Sequence, residues 1–135
     1  MSYKNLRSVP VYRKSLSLCE MSREIVSYIS SNKDLLKLYK SNSHRDIIAN
    51  SIITDAILIP QKIEQAERTE SYATRMKNVL FINIMTRNIL SYCNGLEKDG
   101  FKEREYINLL RSEIKSFRLA YKIWRRSLRR GGDLA

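Results

Sequence analysis

Near the C-terminus of this 135-residue chain, a row of cations repeats at helical spacing. Arg111, Lys115, Arg118, Lys122, Arg125 and Arg129 follow one another at steps of three and four, and Arg126 and Arg130 widen the row. Residues 111–135 hold eight Lys and Arg against two acids, Glu113 and Asp133, and so supply six of the eleven net positive charges. On a helix, the row from Arg111 to Arg129 extends about 27 Å at ~1.5 Å per residue. A cation row of that length can meet several phosphates of a nucleic acid. Arginine predominates, which suits bidentate contacts to phosphate oxygens. The plainer reading is a solvated helix face that keeps the protein soluble.

Other residues that could do chemistry are sparse. The lone His44 sits in a polar joint and reads as a helix-entry residue. Cys19 and Cys93 are not paired at metal-ligand spacing and read as small buried hydrophobes of a reducing compartment. No HExxH motif and no Gly-rich phosphate loop occurs. The carboxylate pairs Glu64/Glu67 and Glu103/Glu105 are of a kind common on solvated helices. The expectation is a protein with no catalytic residues, no metal and no cofactor. Trp124 could stack on a base, but it falls in an apolar row and is expected in the core.

That row defines the helix that carries the cations. Ile107, Leu110, Ile114, Phe117, Tyr121, Trp124 and Leu128 alternate steps of three and four, which marks the buried seam of a bundle helix. Gly131-Gly132 is expected to stop it. Three further helices are expected. The first runs from Pro10 to Ser31, with Ser8 as its cap and Tyr12, Leu16, Cys19, Val26 and Ile29 on its apolar face, Ser22 filling the gap in it. The second is capped by Ser43 and continues through a kink at Pro60 to Arg68, with Ile48, Ile52, Ile59 and Ile63 inward. The third takes Tyr72, Met76, Val79, Ile82, Met85, Ile89, Tyr92 and Leu96 as its face and ends near Asn94-Gly95 or at Gly100. A short helical turn over Leu35–Tyr39 bridges the first two. The pattern is an all-α, antiparallel up-down-up-down four-helix bundle forming a single domain over residues 1–135.

Composition agrees with that class. Gly and Pro together number six, too few for a hairpin-rich sheet. Hydrophobic residues make up 43%, enough for a core without staples. No run approaches the ~18 apolar residues of a membrane span. A soluble, cytoplasmic protein is expected, and its charge predicts attraction to polyanions. Apolar residues exceed what so small a bundle can bury, so Tyr3, Val9, Tyr39 and Phe101 are candidates for a homo-oligomer interface. A second basic cluster, Lys4, Arg7, Arg13 and Lys14, lies near the N-terminus.

Three segments carry a resemblance to a known family. They are Val9-Pro10-Val11-Tyr12-Arg13-Lys14-Ser15-Leu16, then Ile59-Pro60-Gln61-Lys62-Ile63 with Glu64-Gln65-Ala66-Glu67-Arg68 after it, and Ser116 with Trp124-Arg125-Arg126-Ser127. Together they resemble a four-helix-bundle family with two branches. One comprises proteins encoded in intervening sequences of large-subunit ribosomal RNA genes. The other is the accessory variability determinant of diversity-generating retroelements, which the end of the second helix and the closing Trp-Arg-Arg-Ser resemble more. Lys62 stands where the family carries Asn, and Ile123 where a Gly usually precedes the Trp. The resemblance implies a basic, barrel-like homopentamer that binds a reverse transcriptase and its template RNA, or DNA, and supports mutagenic cDNA synthesis. Two other readings stand beside it: a bundle of the ribosomal intervening-sequence type, and a protein-interaction bundle whose cations meet an acidic partner.

Overall fold

A computed structural model describes residues 5–31, 34–40 and 43–134, with the backbone alone for Leu35, Tyr39 and residues 129–134. The described residues form a 3₁₀ turn over Leu6–Ser8 and five α-helices, with no strand: α1 Pro10–Ile29, α2 Leu35–Lys40, α3 His44–Arg68, α4 Tyr72–Lys98 and α5 Arg104–Leu134. The four long helices pack in a ring. Here α1 touches α3 and α5, α4 touches the same two, and α2 lies on α3.

The helix ends have local causes. Val9, not Ser8, is the N-cap of α1, and it offers no side-chain cap. The Ser8 hydroxyl instead donates to the Asn5 carbonyl inside the preceding turn. Pro10 at the first position needs no N–H partner there. Helix α1 stops two residues short of the expected Ser31, because Ser31 turns into the left-handed region at φ 56°. The Ser43 hydroxyl accepts from the Asp46 N–H to start α3, and Ser71 caps α4 in the same way through Thr74. Helix α3 continues through the buried Pro60 as a single element. Gly100, at φ 80°, ends α4. Its N–H bonds the Glu97 carbonyl while the Phe101 N–H bonds that of Leu96, and this satisfies two carbonyls at the helix end. Gly131 and Gly132 do not stop α5, which runs on to Leu134. Glycine raises the cost of a helical residue by about 1 kcal/mol and does not forbid it.

The core follows three of the four expected faces. On α5, Ile107, Leu110, Ile114, Phe117, Tyr121 and Trp124 are all buried. On α3, Ile48, Ile52, Ile59 and Ile63 are buried, joined by Ala49, Ala56 and Ala66, whose small side chains let neighbouring helices approach. On α4, Val79, Ile82, Met85, Ile89 and Leu96 are buried with Cys93, but Tyr72 stands in solvent. On α1 the buried face is Val11, Ser15, Leu18, Ser22, Ile25, Val26 and Ile29, not the expected Tyr12, Leu16, Cys19 row. Ser22, Val26 and Ile29 are inward as expected, and only the first half of the face is shifted by one residue, with Ser15 in a core position. Ser15 satisfies its hydroxyl by donating to the Tyr12 carbonyl at 2.6 Å.

Two interface candidates belong to this chain's own core: Val9 and Phe101 are both buried. Phe101 is held there by the turn at Gly100. Tyr3 and the side chain of Tyr39 lie outside the described residues.

Asp55, half-buried on α3, is the one carboxylate of the interior with an oxygen left unpartnered among the described residues. Burial pushes its pKa up, and a hydrogen bond with Asn88 opposes that shift. A carboxyl whose pKa is raised by folding favours the folded state when protonated. Its ionised form therefore costs stability at neutral pH, and the cost is relieved as pH falls through the raised pKa. Asp55→Asn is expected to raise the melting temperature at pH 7 relative to the parent. The advantage should shrink towards pH 4, as followed by circular dichroism.

Candidate nucleic-acid interface

Helix α5 is clamped between two neighbours. The Tyr121 hydroxyl donates to the Val79 carbonyl of α4 at 2.8 Å. The Trp124 indole N–H donates to a Glu67 carboxylate oxygen of α3 at 2.8 Å. Both bonds satisfy polar atoms that would otherwise be stranded inside, and they fix the rotation of α5 about its axis. The cation row consequently falls on the flank of α5 that faces outward beside α4.

The row is not uniform. Arg111 is not a free cation: its guanidinium donates to both oxygens of Glu97, at 2.8 and 3.1 Å, and to the side chains of Asn94 and Asn108. Hydrogen bonding to Arg111 holds the Glu97 carboxyl below the usual range. Arg125 is half-buried, with its guanidinium carbon 5.8 Å from the centre of the Tyr121 ring, and its Nε has no partner among the described residues. Burial raises the pKa of Tyr121, partly offset by the Arg125 charge. These two arginines serve the packing of α5. Lys115, Lys122 and Arg126 are exposed and Arg118 half-exposed, and among the described residues none of the four forms an ion pair with a carboxylate. The side chains of Arg129 and Arg130 lie outside the described residues.

The fold adds residues that the sequence reading did not join to this row. The first turn of α1 lies against the second half of α5, so Pro10 and Lys14 share a cleft with Ile123, Trp124 and Ser127. Arg13 and Lys14, read from sequence as a separate cluster, therefore meet the end of the bundle that carries Lys122 and Arg126. Arg7 is tied in through its carbonyl, which accepts from the Arg13 guanidinium at 3.1 Å. Arg87 of α4 is exposed. It lies seven residues from Asn94, hence on the same helix face, and Asn94 touches Arg111. Lys4 lies outside the described residues.

The opposite end of the bundle is electrically mixed. There His44 pairs with Asp99 at 2.7 Å, and Arg45 lies over the Phe101 ring. Tyr28 stacks near Tyr106 beside Glu103. At the basic end, Arg75 donates to the carbonyls of Ala66 and Thr69, where a cation complements the C-terminus of α3.

No family model, no curated protein and no solved structure matches this chain. Among the described residues, no group of three or more His, Cys, Asp or Glu could hold a metal ion, and no helix is long and apolar enough to cross a membrane. Cys93 is buried and its thiol is pushed up to about 11, mainly by burial. Cys19 is only half-buried.

Arg111→Gln should lower the melting temperature, because it strands Glu97, whereas exposed Lys122→Gln should change stability by no more than ~0.5 kcal/mol. The Arg111–Glu97 contribution is present above the ordinary glutamate pKa and should fade as pH falls through the depressed value. In thiol titration of the native protein at pH 8, Cys19 should react first, and Cys93 only on unfolding.

Proposed function

We propose that the protein is a non-enzymatic, nucleic-acid-binding accessory bundle that holds RNA on the cations of α5 and of the first turn of α1. The observation that carries this reading is the set Lys115, Arg118, Lys122 and Arg126, which has no carboxylate partner among the described residues, beside Arg13 and Lys14 at one end of the bundle. Residues 111–135 hold eight cations against two acids, a bias that solubility alone does not require. Unpaired, closely spaced cations raise the local positive potential, and a polyanion relieves their mutual repulsion.

The family resemblance supplies the context. It favours the accessory role in a diversity-generating retroelement, with a reverse transcriptase and its template RNA as partners in the cytoplasm. It also favours an up-down-up-down bundle assembled as a homopentamer. The exposed apolar side chains Leu80, Phe81 and Ile84 on the outer face of α4 support self-association. A bundle of the ribosomal intervening-sequence type would share the RNA surface and lack the polymerase.

Filter binding of single-stranded RNA at several salt concentrations tests the reading. Affinity should fall steeply with salt, with a log–log slope of about −0.7 per contacted phosphate. Arg118→Gln with Lys122→Gln should make the slope shallower by about 1.4 and weaken all sequences alike. An unchanged slope and affinity would reduce the row to a solvated face. If RNA binding persists while pull-down of the polymerase fails, the row docks the enzyme instead. Light scattering that reports a monomer at micromolar concentration would remove the pentamer.

A further inference from the structure

The flank of α5 turned towards α1 has the opposite character from the cation row. Leu119 is 61% exposed and Ile123 68% exposed, one helical turn apart on the same face. They overhang a cleft of about 740 Å³, whose other wall is Pro10 and Val11 and whose floor includes Ala120 and Trp124. Large aliphatic side chains left in water beside an apolar cleft mark a binding surface more strongly than scattered exposure does.

Lys14 is the one cation among the residues that line the cleft, and two more lie on α5 beside its exposed edge. Along α5 the apolar pair is bracketed by Lys115, four residues before Leu119, and by Arg126, three residues after Ile123; both are exposed. Lys14 stands on the wall across the cleft. The one acid among the lining residues, Glu67, already accepts from the Trp124 indole.

We propose that this cleft docks an amphipathic helix with carboxylates flanking its apolar stripe, presented by a protein partner. The shape is that of a helix laid in a groove between two helices, with its anchors at successive turns. The chemistry is aliphatic at the centre and cationic at the rim, so the complementary surface is aliphatic at the centre and anionic at the edges. A nucleobase fits less well. Base stacking needs an open aromatic face, and Trp124 is 6% exposed with its N–H engaged. A second copy of this chain also fits poorly. Its exposed apolar face on α4, Leu80 and Ile84, is itself bracketed by Lys77 and Arg87, so cations would meet cations at a rim already carrying Lys14, Lys115 and Arg126. The inference stands on the cleft alone and does not depend on the RNA reading.

Trp124 is the only tryptophan in the chain, so its emission reports occupancy of the cleft directly. The probes are three synthetic helices of about 18 residues, each with leucine on one stripe and with Glu, Gln or Lys flanking it. The Glu-flanked helix should shift Trp124 emission saturably. The Gln-flanked helix should bind about tenfold more weakly, equivalent to ~1.4 kcal/mol, and the Lys-flanked helix should not bind. Leu119→Ser with Ile123→Ser should weaken the Glu-flanked helix at least about tenfold, with an unchanged circular dichroism spectrum. Lys14→Glu with Arg126→Glu should move the preference towards the Lys-flanked helix. Equal affinity for all three helices, or no response to any, overturns the proposal. So does an oligonucleotide shift of Trp124 that depends on Leu119 and Ile123, or loss of self-association in the Leu119/Ile123 variant, because either gives the cleft to a different occupant.

Discussion

The rotational setting of α5 controls what the surface of this protein can be. Its apolar seam must be buried, and two hydrogen bonds lock the angle: Tyr121 to the Val79 carbonyl, and Trp124 to Glu67. Once the seam faces inward, its two flanks have no freedom. From Leu110 to Trp124, the residues one position beyond the seam emerge beside α4 and are cations. Residues on the other flank emerge beside α1 and are Leu119, Ala120 and Ile123. A rotation by one residue would bury Arg118 or Lys122 without a partner, and an unpaired buried charge costs several kcal/mol. The same seam that stabilises the bundle therefore separates a cationic surface from an apolar one.

Charge placement follows from chain direction as well as from sequence. The start of α1, the joint between α3 and α4, and the second half of α5 come to one end, as the cleft that Pro10 and Lys14 share with Ile123, the bond of Trp124 to Glu67, and that of Arg75 to Thr69 require. Self-repulsion among those cations opposes folding, and the structure limits it locally. Arg75 is absorbed by carbonyls at the end of α3, Arg68 by Glu64, and Arg125 by the face of Tyr121. Arg111, nearer the mixed end, is absorbed by Glu97. What is left without such a partner on α5 is a shorter set of cations than a count of its arginines suggests.

Helix α4 carries a different imbalance. It is apolar inward through Val79, Ile82 and Ile89 and also outward through Leu80, Phe81 and Ile84. A helix with apolar residues on both sides is ordinarily covered on both. Lys62 of α3 lies 5.4 Å over the Phe81 ring and shields part of that face. The remainder of that face is left in water, away from the cleft between α1 and α5.

The sequence by itself determined the helical class, the long helices and the inward residues of α3, α4 and α5. Apolar residues at three-four spacing leave a helix one way to remove them from water, so Ile107 through Trp124 could be assigned to the core without coordinates. It also located the cation row, because charge and spacing are both written in one dimension. It misjudged the first half of α1, where Val11, Ser15 and Leu18 lie inward in place of Tyr12, Leu16 and Cys19, and it took Gly131-Gly132 for a stop. Which cations are free was decided only by the tertiary structure. Arg111 meets Glu97 and Asn94 across a helix–helix contact, and Lys14 meets the end of α5 across more than a hundred residues of chain. The buried places of Val9 and Phe101 and the cleft under Leu119 and Ile123 were likewise settled by packing. Each depends on which helix lies alongside which, and that proximity has no period in the sequence.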